Sequence, residues 1–214
     1  MKYFLILLIL LLAMAGWWLS VPDGPVNDTA VTGLPWQVER FADGYTQVFG
    51  IIPGKTSLDE ATGLLGDDME LAIIAVPDTD WSLEAYYGHY SAGPITGRLI
   101  LVMDIPAHQL AAMHARAVRD GATYRYRLNA QDLASARAAP VDVITFAPSF
   151  DLDTDIASAR FGVPDTVVEA GAGELHWLYT ERRLDLVLDS DGREILQYMS
   201  PRAFTAWREQ LQSD

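Results

Sequence analysis

Two segments of this chain resemble each other closely, and this internal repeat limits the folds that the chain can adopt. The first is SLDEATGLLG, residues 57–66, and the second is DTDIASARFG, residues 153–162. Each is followed by an apolar strand, an aromatic-bearing strand, and a strand with the sequence RLILVMD (98–104) or RLDLVLD (183–189). The repeated order of one helix and three strands predicts two related modules whose sheets stack.

The second copy begins within DLDTDIASARFG, residues 151–162, whose alternating aspartates resemble the start of a calcium loop. An EF-hand loop needs glycine at its sixth position and glutamate at its twelfth, where this chain has Ile156 and Gly162. Asp153 instead suits the N-cap of a helix, and Asp155 suits the first turn, where the helix dipole favours negative charge. The segment therefore predicts a helix that starts at Asp153.

The first 20 residues carry the targeting signal of the chain. Lys2 precedes an uncharged apolar run from Tyr3 to Leu19, close to the roughly 20 residues that span a bilayer. This pattern predicts a single-pass inner-membrane anchor at residues 1–20, with the rest of the chain in the periplasm. The alternative is a signal peptide cleaved after Ala13-Met14-Ala15, which would release the protein into the periplasm.

Charge and cysteine content exclude several functions. The formal net charge is -14, and Lys2 and Lys55 are the only lysines. The negative charge of the protein would repel a phosphate backbone, so no nucleic-acid partner is expected. The chain has no cysteine, which rules out disulfides, thiol nucleophiles and thiolate metal sites.

Local patterns predict the remaining elements. Residues 21–34 are rich in Pro, Gly, Asp and Thr and predict a linker. Asp43-Gly44 predicts the turn of a hairpin, and Ser57 with Glu60 predicts a helix capping box. Helices are predicted at 107–120 and 130–138, and a hairpin at 184–198 that turns at Asp191-Gly192. Arg125 and Arg127 are expected to face water. The predicted strands are 71–76, 82–90, 95–104, 123–128, 141–146 and 174–179.

These motifs together resemble the SmpA/OmlA (BamE-like) outer-membrane assembly lipoproteins. The residues that carry the resemblance are Gly54-Lys55-Thr56 and Leu65-Gly66 in the first copy, and 161–164, Trp177-Leu178-Tyr179 and 184–189 in the second. The β-lactamase inhibitory proteins are similar in using two tandem copies of such a module. The resemblance implies an α+β fold of two tandem helix-plus-antiparallel-sheet modules behind the N-terminal segment.

The first module is expected at residues 35–140, with an N-terminal hairpin and a helical extension, and the second at 141–214. The extension, residues 107–140, has no counterpart in the short lipoproteins. The chain also lacks the N-terminal cysteine that carries the lipid of that family. Family-style anchoring in the outer membrane is therefore excluded.

No catalytic, cofactor-binding or metal site is predicted. The four histidines, His89, His108, His114 and His176, show no metal-ligand spacing, and the chain has no GxSxG elbow and no phosphate loop. We expect the protein not to be an enzyme. Because acidic residues are abundant, an enzyme based on paired carboxylates stays open as the least favoured alternative.

Aromatic residues around the strand at 82–90 are the candidate binding residues. Trp81, Tyr87 and Tyr90 are predicted to bind a protein partner, and Trp81 and Tyr87 are expected to be exposed, since aromatic side chains commonly anchor interfaces. For any one aromatic residue the alternative is burial in the core, as strand alternation requires.

The sequence thus predicts a membrane-anchored periplasmic protein that binds or scaffolds other proteins of the bacterial cell envelope without catalysis. The expected partners are an envelope protein and, through the N-terminal segment, the membrane. An inhibitor of an exported enzyme is the alternative, and it would present a concave, acidic and aromatic sheet face.

Overall fold

The computed structural model describes residues 32–77, 81–170, 173–189 and 194–212. The predicted membrane segment, residues 21–31 of the predicted linker, and the turn at Asp191-Gly192 lie outside these ranges. Within them, no helix has both the length and the apolar character needed to span a bilayer.

The described residues form strands and helices in an order that alternates short helices with groups of strands. The strands are β1 (Glu39–Arg40), β2 (Thr46–Gln47), β3 (Glu70–Ile74), β4 (Ser82–Ala92), β5 (Ile95–Met103), β6 (Val118–Arg119), β7 (Arg125–Arg127), β8 (Val141–Pro148), β9 (Thr166–Ala170), β10 (Glu174–Tyr179), β11 (Leu184–Asp189) and β12 (Ile195–Met199). The helices are α1 (Leu58–Leu65), α2 (Ala107–His114), α3 (Leu133–Ala138), α4 (Thr154–Phe161) and α5 (Pro201–Leu211).

The two helices of the repeat, α1 and α4, begin and end in the same way. The hydroxyl of Ser57 accepts a hydrogen bond from the backbone N–H of Glu60, whose carboxylate accepts one from the backbone N–H of Ser57. At α4 the carboxylate of Asp153 accepts from the backbone N–H three residues later at 2.8 Å. Both helices stop at a glycine with positive φ, Gly66 and Gly162. The predicted capping box and the predicted helix start at Asp153 are confirmed.

Ten strands form one continuous antiparallel sheet in the order β6-β7-β3-β4-β5-β8-β12-β11-β10-β9, while β1 and β2 pair separately around the predicted Asp43-Gly44 turn. The predicted fold of two tandem modules, each with its own sheet, is therefore wrong. The physical reason lies in β8, which pairs with β5 on one side and with β12 on the other. Backbone hydrogen bonding thus continues through the point where the first module was expected to end.

Each half of this sheet repeats the same local geometry. From its centre the sheet runs β8-β5-β4-β3 in one direction and β12-β11-β10-β9 in the other. The hydroxyl of Tyr87 on β4 donates to the carbonyl oxygen of Gly66 at 3.0 Å, and that of Tyr179 on β10 donates to Gly162 at 2.9 Å. Burial raises the pKa of both tyrosines to about 12, so both hydroxyls remain donors at neutral pH.

Strand pairing extends this correspondence along each half. Leu99 of β5 and Leu184 of β11 each lie opposite the hydrogen-bonded tyrosine of their own half. The residues just before them, Arg98 within β5 and Arg183 in the turn before β11, therefore correspond in the repeat, although only Arg183 has a positive φ. The sequence repeat is thus a repeat of structure inside one sheet.

The sheet has an inner face and an outer face, and different helices pack on each. Side chains of α1, α2, α3 and α4 join those of both halves in one hydrophobic core on the inner face. Among the described helices, α5 alone packs on the outer face, where Phe204 contacts Leu178 and Met199. Both halves of the sheet therefore share one core.

Several elements differ from the sequence predictions, among them α2, β6 and α5. The helix from Ala107 ends at His114 rather than at Asp120, because Val118 and Arg119 form β6 and pair with β7. Helix α5 was not predicted, although Ser200-Pro201 supplies both an N-cap and a proline at the first helical position.

Candidate functional site

The structure separates the three aromatic residues that were predicted to bind a partner. Trp81 is 41% exposed, which confirms its expected exposure. The expectation for Tyr87 is wrong, because this residue is only 3% exposed and its ring faces the core. Tyr90 packs against Phe49 and Phe146, with ring centroids 5.3 and 6.2 Å apart. The three residues do not form one exposed patch.

Trp81 belongs to an aromatic cluster at the start of β4. Its ring centroid lies 4.3 Å from that of His114 on α2, and the His114 ring also lies 4.3 Å from that of Tyr126 on β7. Nε2 of His114 is buried and has no hydrogen-bond partner among the described residues. The cluster joins three elements by ring contacts, which is a packing role.

The outer face of β3, β4, β5 and β7 is not covered by any described helix. Its side chains, here called the uncovered half, include those of Glu70, Ala72, Ile74, Ser82, Glu84, Tyr86, Arg98, Ile100, Val102, Arg125 and Arg127. They share this face because residues directly opposite each other in an antiparallel pair point to the same side. Tyr86, Ile100 and Val102 are half-buried and belong to neither hydrophobic core cluster.

Some charged groups of the uncovered half are paired and others are not. Arg125 donates to Glu70 at 2.6 Å, and Glu84 accepts a hydrogen bond from a serine hydroxyl of its own strand at 2.6 Å. Arg98 and Arg127 are exposed and have no hydrogen-bond or ion-pair partner among the residues of the described ranges. The surface is locally basic, with three arginines against two glutamates, in a chain whose net charge is -14.

Helix α5 covers the matching surface on the other half of the sheet. Phe204 of α5 is buried with Leu178 of β10 and Met199 of β12. The guanidinium of Arg183 lies over the ring of Phe204, 5.8 Å from its centroid. An arginine at the sheet surface thus stacks on an aromatic side chain of the covering helix.

A buried polar cluster joins α5 to the sheet. Asp185 is 0% exposed, and its Oδ2 accepts a hydrogen bond from Nε1 of Trp207 at 2.7 Å and from Nδ1 of His176 at 2.8 Å. Oδ1 of Asp185 is buried with no partner within the described residues. The hydrogen bond to Asp185 raises the pKa of His176, and the charge of Glu174 acts in the same direction. Because the three groups bond to one another beneath α5, this cluster attaches the helix.

A cleft of about 320 Å³ lies between residues 36–40, α4 and the turn after β10. Arg40 pairs with Glu181 at its mouth, and Arg182 donates to the carbonyl oxygen of Phe161 at 2.6 Å. The carboxylate of Asp165 accepts from a backbone N–H at 2.7 Å. Each of these four charged groups already has a partner within the protein. The cleft is therefore a place where elements of the fold meet, and its charges are not available to a ligand.

Metal ligation finds no support in the residues that the structure describes. No group of three or more His, Asp or Glu side chains there could hold a metal ion. Asp153, which the calcium-loop reading would use, instead caps α4.

Comparison of this chain with protein-family models, curated proteins and solved structures gave no match. The resemblance to the BamE-like lipoproteins and the β-lactamase inhibitory proteins therefore stays a prediction.

Sequence reasoning selected none of the residues of the uncovered half as binding residues, Tyr86 and Arg98 included. The signal for Tyr86 was the alternation along β4, where Leu83, Ala85 and Tyr87 face the core and Tyr86 must face away. Arg98 lies at the repeat position of Arg183, but its exposure depends on which helix covers the sheet. The sequence alone does not place that helix.

Proposed function

We propose that this chain is a non-catalytic protein-binding or scaffolding protein of the bacterial cell envelope. The observation that supports this most directly is the uncovered half, where half-buried apolar side chains lie between two arginines that pair with no residue the structure describes. Broad surfaces that combine aromatic, aliphatic and arginine side chains suit protein partners, whereas small-molecule sites are concave and enclosed.

The proposed location follows from the sequence of the N-terminus. Residues 1–20 anchor the chain in the inner membrane in a single pass, and the sheet lies in the periplasm. Cleavage after Ala15 would instead release the same sheet into the periplasm, and the binding function would be unchanged.

Inhibition of an exported enzyme is a weaker proposal. That function was expected to use an acidic and aromatic sheet face. The uncovered half carries more arginine than glutamate and one aromatic residue, Tyr86. Its chemistry therefore favours a scaffolding role over this alternative.

The test is to extract tagged full-length protein from its native host in a mild detergent, after crosslinking in the cell, and to measure the mass of the native complex. We expect one envelope protein to accompany the chain at a fixed ratio. A chain that runs at its own mass plus detergent, with no crosslinked protein, would contradict the proposal.

A further inference from the structure

The half of the outer face that α5 covers shows what a covered surface of this sheet looks like. Leu178, next to Tyr179, corresponds to Tyr86, next to Tyr87. Leu178 is 1% exposed beneath α5, whereas Tyr86 is half-buried with nothing described above it. The uncovered half thus presents a large aromatic side chain at the position where its counterpart contacts a helix.

The same comparison holds on the neighbouring strands. Val187 lies three residues after Leu184 on β11, as Val102 lies three residues after Leu99 on β5. Val187 is buried and Val102 is half-buried. A helix that covers the uncovered half as α5 covers the other half would bury Val102 as well as Tyr86.

The arginines of the uncovered half indicate which chemical groups a partner bound there would carry. Arg183 stacks on Phe204 of α5, whereas the corresponding Arg98 has no partner among the described residues. Arg127, at the far side of the uncovered half, likewise has none. A partner that supplied carboxylates at both places would pair with two guanidinium groups that have no counter-charge within the described ranges.

The spacing of the two arginines fits a short helix. Arg127 on β7 lies in one row across the sheet with Ala72, Glu84 and Val102, which are on β3, β4 and β5. Arg98 lies four residues before Val102 on β5. The Cα atoms of Arg98 and Arg127 are thus separated by three strand spacings of about 4.8 Å across the sheet and by four residues of about 3.4 Å along the strand. These two perpendicular distances combine to roughly 20 Å. A helix of about 13 residues has that length. The covering helix α5 is of similar size, with 11 residues.

From these observations we infer that the uncovered half binds an amphipathic α-helix of a partner protein. Its apolar side contacts Tyr86, Ile100 and Val102, and acidic side chains near its two ends pair with Arg98 and Arg127. This inference rests on the proposed function and specifies the partner that the site takes. A second copy of this chain is the less suitable occupant, since two chains with a net charge of -14 repel each other.

The experiment places a photo-crosslinking amino acid at Tyr86 or Ile100 of the full-length protein in its native host. A third position, Val163, is 90% exposed and lies just after α4, away from the outer face. The crosslinked peptides are identified by mass spectrometry. We expect crosslinks from Tyr86 and Ile100, but not from Val163, to one acidic amphipathic segment of an envelope protein.

A synthetic peptide with the sequence of that segment is then titrated against full-length protein in detergent, with binding measured by fluorescence anisotropy. We expect Arg98→Gln with Arg127→Gln to weaken binding about tenfold, because two charge pairs at the interface rim are lost. The matched control is Gln131→Glu with Ser135→Glu, which changes the net charge equally at exposed residues of another surface. The control should bind as the unmodified protein does.

The other outcomes overturn the inference in distinguishable ways. Crosslinks from the face to a second copy, to residues 1–31, or to a segment without acidic residues would show a different occupant. Equal weakening by the arginine variant and the control would show that the charges act only at long range. Crosslinks from Val163 alone would leave the protein-binding function standing and remove this site from it. No protein crosslink from any position would remove both.

Discussion

Asp185 is a single buried carboxylate that connects two strands and a helix. Its Oδ2 bonds to His176 of β10 and to Trp207 of α5, while its own strand is β11. A buried carboxylate needs such partners, because its desolvation would otherwise strongly destabilise the fold. The attachment of α5 therefore includes a titratable group, His176.

We expect His176 to make the stability of the fold depend on pH. Because the pKa of His176 is raised in the folded state by its hydrogen bond to Asp185, its charged form stabilises the protein. This contribution is fully present below the ordinary pKa of about 6.5 and is lost as the pH rises through the higher folded-state value. Urea unfolding of the unmodified protein and of His176→Gln measures it as a difference in the free energy of unfolding. A difference that stays constant from acidic to mildly alkaline pH would contradict this assignment.

Gly97 is expected to tolerate no side chain. A Cβ atom there would lie 2.5 Å from the carbonyl oxygen of Ala147 and 2.6 Å from the ring of Phe146. We expect Gly97→Ala to lower the free energy of unfolding by about 1–3 kcal/mol, as overpacked substitutions do. The control is Gly63→Ala in α1, where nothing lies within 4 Å, and it should raise stability by about 0.5–1 kcal/mol. If both variants unfolded at the same urea concentration, the close packing at Gly97 would be disproved.

At the scale of single elements, local sequence predicted much of the structure. The caps of α1 and α4 depend on residues within one turn, so Ser57 and Asp153 identified both helix starts. Strand β10 was predicted with its observed ends, Glu174 and Tyr179. By contrast, α2 ends early because β6 and β7 pair, and that pairing joins residues that the helical pattern does not relate.

Helix α5 should depend strongly on Phe204. This side chain is 1% exposed between the helix and the outer face. Replacing it with alanine is expected to cost about 3–5 kcal/mol, because a large buried ring is lost and the site collapses only partly. Glu209→Ala, at an exposed position of the same helix, should change stability by less than about 0.5 kcal/mol. Urea unfolding gives both values, and a small effect of Phe204→Ala would show that α5 is not packed on the sheet as described.

For the molecule as a whole, local sequence patterns predicted the repeat, but they did not predict that its two copies join in one sheet. Each copy has its own capped helix, tyrosine hydroxyl and strands, all of which are encoded within a short stretch. The pairing of β8 with both β5 and β12 joins segments that are far apart in the chain. Such pairings leave no periodic signal in the sequence, so one sheet could not be distinguished from two. The uncovered half was missed for the same reason, since it is defined by where α5 does not lie.

The single sheet predicts that the two halves fold together. Residues 141–214 expressed alone would lose the pairing of β8 with β5 and the inner-face contacts of the other half. We expect this fragment to be unfolded by circular dichroism and NMR, whereas residues 32–214 should unfold in one cooperative transition. Dispersed NMR resonances from the fragment would show that the second half is an independent domain.

The unequal covering of the outer face also has a consequence for stoichiometry. A sheet that repeats its own geometry would ordinarily offer two equivalent places to the same ligand. Here α5 occupies one of them as a permanent part of the chain. We therefore expect a complex built on this face to hold one partner helix per chain.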